Sequence, residues 1–421
     1  MKQIVQSVKG TRDFYPDEKA ALTWLTDTIR EISQSFGYQE WDGPFLEKID
    51  LYAAKSGDEL VKKQSFVFAD RGGDPITLRP ELTPTLARMV AQKQGELVFP
   101  LRWWSFGPFW RYEQPQKGRG REFFQWNIDL IGTSNPESDA ELVAVAAAFF
   151  QKVGLRPNQA QIMVNNRRLM DSELGKLGVA SEMRPELIRL IDRKDKMRPE
   201  EWDAYAMEAG LSQEQLAQLK SLLTNPDLWR RSDELVKFFS TLEAMGLKEY
   251  VRYDARIIRG LDYYTGTVFE ARDLDGGRAL LGGGRYDNLV GQVGGDPLPG
   301  IGFAMGDMMM LLVLQKYGLL PQFGQTPAQV MVTIFDENSV ISAYGLAAQL
   351  RQSGVKVAVY PEPAKLMKQL KYADRLGMRL AVIVGPDEAA AGQATIKDLS
   401  ARTQVTVGVN GLVEELKQRL A

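Results

Sequence analysis

Between Asp17 and Phe36 the apolar residues Leu22, Leu25, Ile29, Ile32 and Phe36 recur three and four positions apart. That spacing predicts an amphipathic helix, closed by Gly37. The stretch "SFVFADRGGDPITLRPE" switches to strand character and predicts a hairpin turning at Gly72-Gly73-Asp74. Two aromatic-rich strands are expected between Leu101 and Ile131, flanking the polar loop "EQPQKGRG", and Ser138 to Val153 reads as an alanine-rich helix ended by Gly154. From about Asn165 to Leu247 the chain turns to short, charged, proline-punctuated helical segments, a helical insertion over about 165–247. Strand character returns at "EYVRYDARIIRG" and "TVFEARD", and "GLLPQFGQTPAQ" reads as a linker. Beyond it "VMVTIF", "VKVAVY", "LAVIVG" and "QVTVGV" alternate with helical stretches, which predicts an α/β module with a mostly parallel sheet. The expected organisation is an α+β body over residues 1–325 and an independent module over 326–421.

One strand carries more than architecture. In "REFFQWNIDLIG" alternation places Phe124, Trp126, Ile128 and Leu130 on a core face and Phe123, Gln125, Asn127 and Asp129 on the other. An outward face of an antiparallel sheet is usually solvated, but it does not usually start with a bare aromatic. The preceding strand ends in Arg111 and Glu113, and the joining loop carries Lys117, Arg119 and Arg121. Four basic residues against one acidic make this hairpin net +3, and paired guanidinium hydrogen bonds suit phosphate. "TLRPELTPTLARMV" places Glu81 and Thr83 between a strand and a helix, where capping is the simplest reading. "LLGGGRYDNLVGQVGG" combines close backbone approach at Gly282 to Gly284 with Arg285, Tyr286 and Asp287 at an expected helix start; it has neither the lysine of a P-loop nor a dinucleotide fingerprint.

Composition narrows the chemistry. The 421 residues include no histidine and no cysteine, which excludes thiolate or imidazole catalysis, disulfides and imidazole- or thiolate-bound zinc. Arginine, lysine, carboxylates, hydroxyls and an oxygen-held ion such as Mg²⁺ remain, an inventory suited to phosphoryl or nucleotidyl transfer. With 52 basic and 54 acidic residues the net charge is −2, so any nucleic-acid surface must be a local patch. The absence of a long apolar run and of a signal-like amino terminus, with no cysteine, leads to the expectation of a cytoplasmic protein without a membrane span.

The motifs together resemble the histidine–tRNA ligases, the class II aminoacyl-tRNA synthetases for histidine. They run along nearly the whole chain: "KGTRDFYP", "KKQSFVF", "TLRPELT", "WRYEQPQKGRGREFFQ" (class II motif 2), "RGLDYYTGTVFE" with "LGGGRYDNLV", and "LKYADRLG". The resemblance implies a class II antiparallel sheet with flanking helices, a helical insertion, a C-terminal α/β anticodon-binding domain and a homodimer. It implies ATP with Mg²⁺, L-histidine and tRNA(His) as partners, and a histidyl-adenylate intermediate. Carried onto this sequence, Arg111 holds the α-phosphate and the substrate carboxylate, Glu113 the adenine amino group, Phe123 the adenine face and Arg119 the outer phosphates. Glu81, Leu82, Thr83 and Gln125 belong to the amino-acid subsite, where Asp129 and Tyr264 read the imidazole nitrogens and Tyr263 forms the wall. Arg259 lies against the α-phosphate as the second catalytic arginine, and Gln116 and Lys117 meet the tRNA acceptor end.

Four positions depart from the family pattern. Met309 stands where class II motif 3 supplies an arginine for the γ-phosphate, Asp129 where glutamate is frequent, Gln114 where arginine is common, and Leu82 where glycine is. Met309 favours a non-catalytic relative, the regulatory subunit of ATP phosphoribosyltransferase; Arg259 with both tyrosines, a nearly complete motif 2 and the C-terminal module favour the ligase. A general RNA-binding protein is the third reading, and a net charge of −2 speaks against it.

Overall fold

The computed structural model describes residues 4–53, 64–194, 197–258, 264–324 and 326–421. These form two compact units, residues 4–13 with 21–320, and residues 14–20 with 321–421.

The first unit begins, in chain order, with helix α1 (Pro16–Ser35, shared with the second unit), β1 (Gln39–Glu40), β2 (Leu46–Lys48), β3 (Phe66–Ala69) and β4 (Pro75–Leu78). Helix α2 (Thr83–Lys93), β5 (Leu101–Trp110), β6 (Glu122–Ile131) and α3 (Pro136–Lys152) follow. Then come β7 (Ala160–Asn166), β8 (Val251–Tyr253), β9 (Thr267–Asp273), β10 (Ala279–Tyr286), β11 (Gly300–Gly306) and a helix at Asp307–Lys316. Eight strands make one sheet in the order β1-β5-β6-β11-β10-β9-β7-β8. Its inner pairings are antiparallel, and only the outermost, β1 with β5 and β7 with β8, are parallel. Strands β2, β4 and β3 form a small separate sheet.

The first helix starts and stops within a residue of its expected limits, with Leu22, Leu25, Ile29 and Ile32 buried and Gly37 at φ +79°. The β3–β4 hairpin turns where expected because Asp70 accepts hydrogen bonds from the amides of Gly72 (2.8 Å) and Asp74 (2.9 Å). Helix α3 begins two residues early, capped by Asn135 on the Ser138 amide. The apolar back of the sheet joins this helix in one core, where the Trp126 ring lies 4.9 Å from Phe303 and 5.5 Å from Phe149.

Three sequence readings are corrected. The expected insertion opens inside β7, a strand the pattern did not reveal; helices run from Arg167 to Ala244 only after it. Six of its seven residues are buried, so it lacks the alternation that marks a half-exposed strand. "GGGRY" opens no helix but completes strand β10. Arg285 there points to the helix side, fully buried, and its Nε donates to the Asp139 carboxylate of α3 (3.0 and 3.2 Å) while Nη1 donates to the Thr133 carbonyl (2.8 Å). Removing one member of such a pair strands a buried charge, at a cost of about 3–5 kcal/mol. Asp139→Ala is therefore expected to lower stability by that amount in denaturant titration, and a loss under 1 kcal/mol would contradict this account of the pair.

In the second unit the strands are β12 (Val330–Val332), β13 (Val357–Val359), β14 (Leu380–Ile383), β15 (Gln393–Asp398) and β16 (Gln404–Gly408), ordered β13-β12-β14-β15-β16. The third correction falls here: only half the pairings are parallel, because β15 and β16 form a hairpin and run antiparallel to their neighbours. Asp398 builds the tight turn by accepting from the amides of Ser400 and Ala401, and a turn that short joins only antiparallel strands.

Candidate active site

The outward face of the large sheet is floored by residues without bulk. Register pairs Gln125 with Gly306, Asn127 with Ala304 and Asp129 with Gly302 on β11, then Ala304 with Gly282 and Gly302 with Gly284 on β10. Directly paired residues of antiparallel strands share a face. A flat ligand can therefore lie against this backbone. A Cβ on Gly302 would overlap the Asp129 carboxylate, and one on Gly284 would come within 2.8 Å of the Tyr264 ring. The carboxylate and the tyrosine thus occupy adjacent glycines of one row, close together in space although 135 positions apart in "QWNID" and "DYYTG".

Tyr286, two residues beyond Gly284 on the same face, donates its hydroxyl to Asp129 Oδ1 at 2.7 Å. Among the described residues the other carboxylate oxygen accepts nothing. Burial, with Asp129 5% exposed, pushes its pKa up to about 7 against the lowering effect of the tyrosine bond. Asn127, 5% exposed, lies in the same row. The face is therefore not solvated in the ordinary way of an outward strand.

At the other end of β6, Arg111, Glu113, Arg119, Phe123 and Gln125 line one cavity of about 270 Å³, closed by Gly282, Ala304 and Gly306 below and Met308 and Met309 beside. Arg111 is aimed by its Nε, which donates to the Pro80 carbonyl at 2.9 Å, and its guanidinium lies 5.2 Å from the centre of the Phe123 ring. Phe123 itself stacks on Phe109 at 5.9 Å. Arg119 approaches Glu113 at 3.8 Å.

The "TLRPELT" segment is fastened to this wall. Fully buried Arg79 donates to the Pro108 carbonyl (3.0 Å) and to Asp42 (2.6 Å), and its own carbonyl accepts from Trp110. Those bonds bring Glu81 beside the Pro80 carbonyl that Arg111 holds, and the Tyr52 hydroxyl donates to the Glu81 carbonyl. The capping reading is not met: α2 has Leu82 at its N-cap and no side-chain cap bond. Glu81 and Thr83 are half-buried, whereas the Leu82 side chain is buried and can offer a ligand only its backbone.

Three hairpin residues lie outside this cavity. Arg121 stacks on Tyr112 at 4.0 Å and donates to the Glu113 carbonyl, so it shapes the loop and does not line the cavity. Gln116 and Lys117 line a neighbouring cavity with Arg119, Arg272 and Arg278. Arg259 and Tyr263 lie outside the described residues.

Sequence reasoning missed Tyr286, Arg278 and Asp307 as parts of this site. The Asp307 carboxylate accepts from the Phe124 amide (2.9 Å) and pairs with Arg12 of "KGTRDFYP" (2.8 Å), tying the amino-terminal motif to the site. Tyr286 was within reach of the sequence, since an i, i+2 step from a face-lining glycine shares its face.

The architecture, one unit with a large antiparallel sheet and flanking helices and a second, smaller α/β unit, is that of the class II aminoacyl-tRNA synthetases. The solved histidyl-tRNA synthetase of Nostoc sp. PCC 7120 superimposes with a TM-score of 0.85 at 27% identity, over 99% of this chain and 100% of that one. A family model described as "Histidyl-tRNA synthetase" matches residues 10–309, and one described as "Anticodon binding domain" matches residues 329–419. The histidine–tRNA ligase of Leptospira biflexa is 34% identical over 100% of this chain and 99% of its own length. That of Halobacterium salinarum is 37% identical over 96% and 95%. The chain belongs to the histidyl-tRNA synthetase family.

Proposed function

We propose that this protein ligates L-histidine to tRNA(His) through a histidyl-adenylate. The observation that carries the reading is the continuity of one sheet face, from the arginine–aromatic cavity at Arg111 and Phe123 through Gln125 to the carboxylate–tyrosine pair at Asp129 and Tyr264. One end suits a nucleotide and the other a small ring with two nitrogens.

In the first step a histidine carboxylate oxygen attacks the α-phosphorus of ATP, the bond to the β-phosphate oxygen breaks, and pyrophosphate leaves. The nucleophile belongs to the substrate, so the chain's lack of histidine and cysteine removes nothing the step requires. Arg111 faces the α-phosphate and the attacking carboxylate, where preorganised positive charge stabilises the five-coordinate transition state. Arg259 is its partner in this reading on the strength of the sequence motif. Glu113 accepts from the adenine amino group, Phe123 stacks on the base, and Mg²⁺ arrives with the phosphates as part of the substrate. Glu81, Thr83, Gln125 and the backbone at Leu82 hold the α-amino group. Asp129 accepts from one imidazole nitrogen, and Tyr264 meets the other with Tyr263 beside it. In the second step the terminal ribose hydroxyl of the tRNA attacks the adenylate carbonyl and AMP leaves; Gln116 and Lys117 guide that end.

The second unit, matching an anticodon-binding model, supports tRNA as the acceptor and weighs against the regulatory-subunit alternative. The small sheet and the residue before it leave Phe45, Leu46, Val67 and Phe68 about half exposed, which supports a homodimer. A cytoplasmic enzyme fits this role, and among the described residues no helix is long and apolar enough to cross a membrane. Labelled histidine with ATP, Mg²⁺ and tRNA(His) tests the whole reading. Charged tRNA(His) is expected; adenylate without charging would remove the acceptor half.

A further inference from the structure

The helix Asp307–Lys316 presents Met309, an uncharged side chain, to the cavity that holds Arg111 and Phe123. A guanidinium nevertheless stands next to it. Arg278, at the end of the turn between β9 and β10, places Nη1 3.7 Å from the Met309 sulfur and donates to the Lys117 carbonyl at 2.6 Å. Gly118 makes this possible: a Cβ there would overlap Met309 and come within 3.4 Å of Arg278 Nη1. Met309, Arg119 and Ala279 line both the Arg111 cavity and the adjoining one of about 670 Å³ that Arg278 lines, so the two spaces meet at these residues.

The other arginines lining that second cavity have carboxylates. Arg272 pairs with Glu270 (2.6 Å), Arg256 with Asp254 (2.7 Å) and Arg119 approaches Glu113 (3.8 Å). Among the described residues Arg278 has none, and its side chain is exposed. Its turn is nonetheless held. Asp273 pairs with Lys316 (2.8 Å), accepts from the Tyr317 hydroxyl (2.8 Å), and donates its amide to the Arg278 carbonyl (3.1 Å). The turn is thereby fastened to the same helix that carries Met309. A guanidinium held by a backbone carbonyl and without a carboxylate, in the cavity that adjoins the one of Arg111 and Phe123, is suited to an anionic ligand.

We infer that Arg278 binds the outer phosphates of ATP, and pyrophosphate in the reverse direction, supplying from the β9–β10 turn the positive charge that position 309 lacks. The inference rests on the ligase reading and assigns a residue to its phosphate end. Arg278 is then a group that touches substrate and moves nothing covalent: it draws the β- and γ-phosphates away from the α-phosphorus and stabilises the charge that leaves as pyrophosphate.

The experiment is histidine-dependent ATP–pyrophosphate exchange on the full-length wild type, Arg278→Met, Arg278→Lys and the double variant Arg278→Met with Met309→Arg. Arg278→Met is expected to raise KM for ATP and for pyrophosphate about tenfold or more while KM for histidine stays within about twofold, as loss of one charged phosphate contact requires. Arg278→Lys should recover part of the loss and Met309→Arg most of it, a rescue that a role confined to holding the Lys117 carbonyl would not give. Unchanged pyrophosphate KM in Arg278→Met, with active wild type, overturns the assignment alone; a rise for ATP but not for pyrophosphate does so by placing the residue at the base. A parallel rise in histidine KM without rescue also overturns it, by reducing Arg278 to a loop support. No exchange by wild type would overturn the ligase reading and this inference with it.

Discussion

Arg111→Ala is expected to lower the rate of histidyl-adenylate formation about 10²–10³-fold, the effect of deleting one preorganised donor to developing negative charge, or roughly 3–4 kcal/mol. The size follows from how the side chain is held. Its Nε is spent on the Pro80 carbonyl, its plane is set against Phe123, and among the described residues no carboxylate neutralises it. Its charge is therefore aimed and uncompensated, at the junction of the aromatic end and the polar row. Arg111→Lys should restore only a small part, because an ammonium cannot serve the Pro80 carbonyl and two ligand oxygens with one planar fork. Single-turnover adenylate formation, with thermal denaturation to confirm folding, measures this; a loss below tenfold would remove Arg111 from the transition state.

The second large effect is expected at the other end of the row. Asp129→Asn should lower kcat/KM for histidine about 10–100-fold, the loss of a hydrogen bond to a charged acceptor at ~1.5–3 kcal/mol, with little change in KM for ATP. The carboxyl also links binding to pH. Its pKa of about 7 means the free site carries a proton on Asp129 below neutrality, and the carboxyl must lose it before it can accept from an imidazole N–H. Histidine kcat/KM should therefore fall as pH drops through about 7 and hold above it. Asparagine has no proton to lose, so the acid limb of log kcat/KM should lose one unit of slope in Asp129→Asn, whatever the substrate imidazole contributes. An acid limb of unchanged slope would mean that Asp129 does not meet the substrate.

Much of this site was legible because β6 alternates apolar and polar side chains, although its last six residues are all buried. Its alternation marked Phe124, Trp126, Ile128 and Leu130 as core and Phe123, Gln125, Asn127 and Asp129 as the other face; Trp126, Ile128 and Leu130 join the core, Phe124 is only partly buried, and Phe123 and Gln125 line the cavity. The β5–β6 hairpin and the first helix were equally plain, since local spacing sets both. What stayed hidden depends on partners distant in sequence. β7 shows no alternation because neighbours cover both of its faces. The glycines of β10 read as a run ahead of a helix start, and only the register with β11 shows that Gly284 makes room for Tyr264 next to Gly302, which makes room for Asp129. Arg121 and Arg278 illustrate the same limit. The first sits in the conspicuous basic loop yet stacks on Tyr112, while the second, 157 positions further on, reaches the Met309 side chain.

The central claim is that this fold, without a histidine or cysteine of its own, activates histidine with ATP. Pyrophosphate exchange measured with each of the twenty amino acids in turn, with Mg·ATP and the full-length protein, tests it most directly. Exchange is expected with histidine alone, because only an imidazole can both donate to Asp129 and meet Tyr264 across the glycine floor. Exchange with no amino acid, or equal exchange with several, would contradict the account.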